Sequence, residues 1–388
     1  MLLMGWQFAR TKGCAAGAAL LMLVSAVPAY AIDAPKPEPA PPAPEQPQRR
    51  AVTPSDQREF YSKLQHAAHT RTLRGLKVPA AAIDALSSGA ADIAVASLNT
   101  LARQGDNDAN VALVRIQHWC NQVFSSRPAD AQAQIAKLSP VLSDERAAKA
   151  AGVIQVEGEF LTRARGGCSA ASFDYRGIEA RLRAAADAGD PASAVELAQF
   201  VRDPKKREAL LQSALDKKYP PAMYAAATNL LVAVQRGQTT ENVSSIRLLL
   251  KQAGPTIPKA KLDLANCMAL GCDGHPADAL TARAFGLDAA RDGEPTAFLS
   301  MVRMPWGGRL SRTDHLAWQY FGDRLNEAGC TGEAYIPTAT TFAQTIAMLE
   351  KGQDATALDA AKAQAEDLWR DNHARAMKEQ GCQSGPTG

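Results

Sequence analysis

Beyond its first thirty or so residues the chain has no apolar run long enough to span a bilayer, so no transmembrane segment is expected in the mature protein. Charge of one sign is also missing. There are 43 Lys and Arg against 40 Asp and Glu, a formal net of +3. A general nucleic-acid binder carries a clear basic excess, so that class is excluded. From Thr53 onward no stretch alternates apolar and polar residues as a half-buried strand does. Catalytic signatures are lacking as well. No serine sits in a Gly-x-Ser-x-Gly elbow, and Gly307-Gly308 is too short for a phosphate loop or dinucleotide fingerprint. His66 and His69 share a helix face, but no third ligand stands at a telling distance. Cys267-x4-Cys272 is wider than a zinc knuckle and has no second matching pair. Glu157 and Glu159 diverge by about 200° on a helix. His118, beside Cys120, reads as a packed side chain. No metal and no cofactor are therefore expected.

What is present begins with a leader. Arg10 and Lys12 precede an apolar run from Ala15 to Val27, and Ala29-Tyr30-Ala31 is a small-x-small cleavage site. Residues 1–31 read as a signal peptide cut after Ala31, and its alanine-rich composition as bacterial. Asn242-Val243-Ser244 is then an idle sequon. Cys14 lies before the apolar run, where a lipid-attachment cysteine would follow it. The mature chain keeps 41 Lys and Arg against 40 Asp and Glu. Residues 32–52 hold Pro35, Pro37, Pro39, Pro41, Pro42, Pro44 and Pro47, and read as a semi-rigid, extended tether. Six cysteines remain after cleavage: Cys120, Cys168, Cys267, Cys272, Cys330 and Cys382. An even number in an exported chain predicts three disulfides. Spacing does not select the connectivity; nearest-neighbour pairing (120 with 168, 267 with 272, 330 with 382) is the simplest.

Folding is expected to begin at Thr53, a helix cap followed by Pro54 and Asp56. About fifteen helices follow, broken at glycine and proline clusters that include Gly89, Pro128, Gly166-Gly167, Pro204, Gly274 and Gly332. One phrase recurs at five of the corners. Its best copy is Ala289-Ala290-Arg291-Asp292-Gly293-Glu294-Pro295-Thr296-Ala297. Others run from Ala102 through Gly105 to Ala109, and from Ala185 through Gly189 to Ala194. Two looser ones run from Lys217-Lys218 to Ala222, and from Ala253-Gly254 to Ala260. The last four copies are 28, 38 and 37 residues apart, a period of stacked helix pairs. Gly105, Gly189 and Gly293 suit a left-handed C-cap, Pro191, Pro220, Pro258 and Pro295 suit the next helix start, and the alanines let helices approach closely.

These residues resemble the Sel1-like repeat, a relative of the tetratricopeptide repeat, whose units close with Ala-Ala-x-x-Gly-x-x-x-Ala. The resemblance covers roughly residues 98–305 and is fullest at 263–297. It departs at Ser193, which occupies the family's alanine position, and at Lys218, which replaces the glycine; most of the second-helix aromatics are missing. It implies an all-α fold, an α-solenoid of antiparallel helix pairs over 53–335, with helical flanks and a C-terminal cap over 336–388. It further implies a periplasmic adaptor, often cysteine-stapled, that binds another envelope protein and catalyses nothing. A hydrolase or lytic transglycosylase on the same scaffold, marked by a Glu in a deep cleft, and a purely structural exported protein are the competing readings. Trp306 and Arg309, in a glycine-flanked loop, are the expected partner anchors. Trp318 and Phe321, three apart, are expected on the buried face of their helix.

Overall fold

A computed structural model describes residues 53–126, 133, 135–136, 140–237, 243–331 and 335–382. The leader, the tether, Asn242 and the expected breaks at Pro128 and Gly332 lie outside the described residues. The unit that begins at Val52 is described by itself.

Among the described residues there are sixteen α-helices and two short 3-10 turns, with no strand. The first seven are α1 (Pro54–Thr72), α2 (Ala80–Ser88), α3 (Ala91–Arg103), α4 (Asn107–Ser125), α5 (Asp144–Ala170), α6 (Tyr175–Asp187) and α7 (Pro191–Leu197). Then come α8 (Pro204–Asp216), α9 (Pro220–Gln235), α10 (Ile246–Ala253), α11 (Pro258–Leu270), α12 (Ala279–Arg291) and α13 (Pro295–Arg303). The last three are α14 (Arg312–Glu327), α15 (Tyr335–Glu350) and α16 (Ala355–Gln380). Most consecutive helices pack against each other, among them α3 on α4, α6 on α7, α9 on α10 and α11 on α12, and α14 packs on both α15 and α16. The fold is an all-α array of helix pairs.

Why the chain breaks where it does is visible at the first helix. Thr53 accepts from the Asp56 amide at 3.2 Å, and the Asp56 carboxylate accepts from the Thr53 amide at 2.8 Å. This reciprocal cap, with Pro54 at the first position, fixes the start of α1.

The recurring phrase is a single hydrogen-bonded corner. Gly105, Gly189 and Gly293 have φ of 91°, 92° and 74°. The residue after each donates its amide back five positions: Asp106 to Leu101 (3.1 Å), Asp190 to Ala185 (2.8 Å) and Glu294 to Ala289 (3.0 Å). That is the Schellman closure of a helix C-terminus. Lys218, where the glycine is missing, still adopts φ 54°, and Tyr219 donates to Ala214 at 3.1 Å. The loosest copy differs: Gly254 is right-handed, at φ −53°. Ala109, Ala194, Ala222, Ala260 and Ala297 are all buried, as close helix approach requires.

One expected break does not exist. α5 runs straight through Gly166-Gly167. A side chain at Gly167 would meet the Gly89 carbonyl oxygen at 2.5 Å and the Ala91 amide nitrogen at 2.7 Å. The glycine is there because the α2–α3 corner lies on α5, not because the helix ends.

Two large apolar cores result. The first joins α1–α7 around Leu64, Leu98, Leu113 and Leu182, and takes in Tyr335 from α15. The second joins α9–α16 around Leu264, Phe298, Trp306 and Phe321. A small seam of Ala194, Ala214 and Ala222 links them along the chain. They also meet across it, because α1 packs on α16 and α5 reaches α14 through two ion pairs. Arg146 pairs with Asp323, and Lys149 Nζ lies 2.6 Å from Glu327 Oε2 and 3.9 Å from the Phe60 ring centroid.

Candidate functional site

Three features gather the polar and aromatic side chains. The first is a polar layer shared by seven helices. Arg115 on α4 donates to Glu196 on α7 at 2.9 Å, and both side chains are at most 13% exposed. Gln199 holds the other Glu196 oxygen at 2.6 Å. Arg115 also donates to the Thr72 and Arg74 carbonyls, at 3.1 and 3.3 Å. On α9, Tyr224 donates to Asp263 of α11 at 2.9 Å, and Lys259 pairs with the same carboxylate. Burial first, then the Asp263 charge, pushes the Tyr224 hydroxyl far up, so it stays a donor. Lys261 bridges Asp288 (2.7 Å) and Asp292 (2.6 Å), and Arg375 of α16 grips the same two carboxylates. Gln380 donates to the Asp292 carbonyl at 2.8 Å. Each of these charges faces a partner, so the layer holds helices in register. Among the described residues no group of three His, Cys, Asp or Glu side chains could hold a metal ion.

The second feature is the aromatic cluster around residue 306. Trp306 is fully buried. This corrects its reading as an exposed anchor. Its ring lies on Gly286 of α12, where any Cβ would come within 2.6 Å of the indole, and its Nε1 donates to Asn266 Oδ1 at 3.0 Å. The flanking glycine serves that burial: a Cβ at Gly307 would collide with the Met301 carbonyl of α13, so the loop is folded back tightly. His315 Nε2 lies 2.8 Å from the Gly307 oxygen on the other side. The one sequence signal for this was Gly286, a small residue in mid-helix. Trp318 and Phe321 are buried on α14, as their spacing predicts. The Arg309 side chain lies outside what is described.

The third feature went unread in the sequence. Between α8, α9 and α10 lies a groove of about 620 Å³. Leu215, Met223, Leu230 and Leu249 form its apolar lining, and Gln212, Asn229 and Gln252 carry side-chain amides at its edge. It exists because α8 buries Ala214 alone among its residues and leaves the α9 surface uncovered. A shallower strip on α6 is edged by Arg176, Glu179, Arg183 and Asp187, of which Glu179 and Arg183 pair with each other at 2.9 Å.

The six cysteines are brought together in three pairs: Cys120 with Cys168, Cys267 with Cys272, and Cys330 with Cys382, at Cα separations of 5.5, 5.0 and 5.3 Å. These spans are those of bonded cystines.

Two of the solved structures similar to this chain are described by their fold. One is a Sel1 repeat protein from Oxalobacter formigenes, with 19% identity over 72% of this chain and 93% of that one, at a TM-score of 0.33. The other is a protective antigen present in uropathogenic Escherichia coli strains, displaying an SLR fold. It has 14% identity over 87% of this chain and 81% of that one, also at a TM-score of 0.33. No family model matches the chain, and no curated protein does. At these values the assignment of helix pairs rests on the corners themselves. Those recurring corners, at Gly105, Gly189 and Gly293, make the chain an array of repeated helix pairs.

Proposed function

We propose that the chain is an exported, non-catalytic adaptor of the bacterial envelope that binds another protein through the groove between α8, α9 and α10. The groove carries this reading. Its leucines and methionine offer contact area for apolar side chains of a partner segment. The amides of Gln212, Asn229 and Gln252 can donate to, and accept from, that segment's main chain. The leader read in residues 1–31 and the three cystines support an oxidising location, the periplasm. The described helices include none long and apolar enough to cross a membrane. The proline-rich tether and the terminal cap from residue 336 complete the proposed organisation.

The test is crosslinking in the native compartment followed by capture with the tagged mature chain. Asn229→Arg with Gln252→Arg, both exposed on the groove's edge, should abolish recovery of one specific protein while the far-UV spectrum and melting temperature stay close to the parent's. Equal recovery by the variant would remove the groove from the reading. Turnover of an envelope polymer, lost on changing a single Glu or His, would overturn the adaptor altogether.

A further inference from the structure

Two helix ends in this fold are built alike and joined to each other. α14 closes at Gly329 (φ 84°) and α16 at Gly381 (φ 69°). In both, the next residue is a cysteine whose amide reaches back five positions: Cys330 to Leu325 at 3.0 Å, Cys382 to Met377 at 2.8 Å. The disulfide between these cysteines sets two helix C-termini side by side. Each presents unsatisfied carbonyls and the negative end of a helix dipole. A cation placed against both ends offsets their mutual repulsion.

Arg71 of α1 is that cation. It donates to the Cys330 (3.0 Å) and Thr331 (3.3 Å) carbonyls of one corner and to the Gln380 carbonyl (3.3 Å) of the other. Arg74 donates to the Glu379 carbonyl and, at 3.2 Å, to Thr256 ahead of α11. His66 Nδ1 lies 3.4 Å from the Gly381 oxygen. α1 also lies close against Gly381, since a Cβ there would stand 2.5 Å from Thr70 Cγ2. The first helix is therefore seated on a cradle of main-chain oxygens that one cystine holds together.

We propose that Cys330–Cys382 is a redox-sensitive latch: its reduction parts the two corners, unseats Arg71 and Arg74, and frees α1 and the turn after it from the polar layer. The other cystines cannot act this way. Cys267 and Cys272 are five residues apart in one corner, and both sulfurs of Cys120–Cys168 are buried between α4 and α5. Cys382, by contrast, is half-buried and its bond spans 52 residues. The step is thiol–disulfide exchange with a dithiol. A thiolate of the reagent bonds to Cys382 Sγ, the sulfur–sulfur bond breaks, and Cys330 leaves as a thiolate that takes up a proton. The second thiol of the reagent then closes on the mixed disulfide, releases the Cys382 thiol, and leaves the reagent as a cyclic disulfide. Two electrons pass to the protein.

Hydrogen exchange on the whole mature chain tests the latch, independently of whether the α8–α10 groove binds a partner. In Cys330→Ser/Cys382→Ser, amides of residues 66–76 and 376–382 should exchange at least about tenfold faster, while α11 and α12 keep the parent's rates. Oxidised Arg71→Ala/Arg74→Ala should show the same local pattern with the bond intact, which keeps the test open if the serine variant fails to fold. Dithiothreitol should produce it in the parent, and reoxidation should reverse it. Unchanged exchange at 66–76 in either variant, or a uniform rise that includes α11 and α12, would overturn the proposal.

Discussion

His69 lies where α1 meets α4, nearly inaccessible, with its ring edge-on to Trp119 at 4.8 Å. Burial, then the neighbouring His66, lowers its pKa from 6.5 to about 3, against the pull of a hydrogen bond to the Leu86 backbone. The unfolded chain therefore binds one proton more than the folded chain between these two values. This contribution to stability is complete above pH 6.5 and is lost as pH falls through that window. At pH 5 the loss is on the order of 2 kcal/mol. His69→Gln should remove that slope, so a plot of melting temperature against pH from 7.5 to 5 should be flatter in the variant. An equally steep parent and variant would place the acid sensitivity elsewhere. The same residue scale explains why Trp306 misleads: a Trp ahead of two glycines reads as a loop anchor, yet Gly307 lets the chain fold back and Gly286 receives the ring.

Helix corners are the scale at which the sequence was most readable. Alanines and a glycine encode the same closure at Gly105, Gly189 and Gly293, with a proline after the last two, because each residue type meets a local demand of backbone or space. Local grammar also explains the failures. At Gly167 the glycine answers a contact with the α2–α3 corner, 78 residues away at Gly89, and no neighbouring residue announces it. The α8–α10 groove is a place where packing is missing, and a pattern of side chains marks what is buried better than what is left open. Lys218 and Gly293 make the corner testable. Lys218→Gly should raise stability by about 1 kcal/mol, since φ 54° opposes a Cβ. Gly293→Val should lower it by more than that, because a Cβ there also stands 3.1 Å from Ala376 and Gln380. Opposite shifts in urea midpoint check the pair; shifts of the same sign would mean the two corners are not equivalent.

The whole unit depends on contacts between distant parts of the chain. α1 seats on α16, Arg146 and Lys149 of α5 reach α14, and a cystine closes 52 residues between the last corners. Nearest-neighbour pairing named the cystine, but the helix contacts were not readable from periodicity, since a repeat specifies its neighbours and is silent about its ends. Thiol titration of the mature oxidised protein in denaturant should find no free sulfhydryl, and proteolytic mapping should join Cys120 to Cys168, Cys267 to Cys272 and Cys330 to Cys382. Two or more free thiols, or crossed pairs, would refute this connectivity. Open arrays of helix pairs tolerate gain or loss of a unit, because each unit touches only the next. Here an inserted pair between α9 and α12 would carry the carbonyl cradle away from Arg71. The copy number of the repeat is therefore locked: descendants of this gene can vary the side chains of its units far more freely than the number of units.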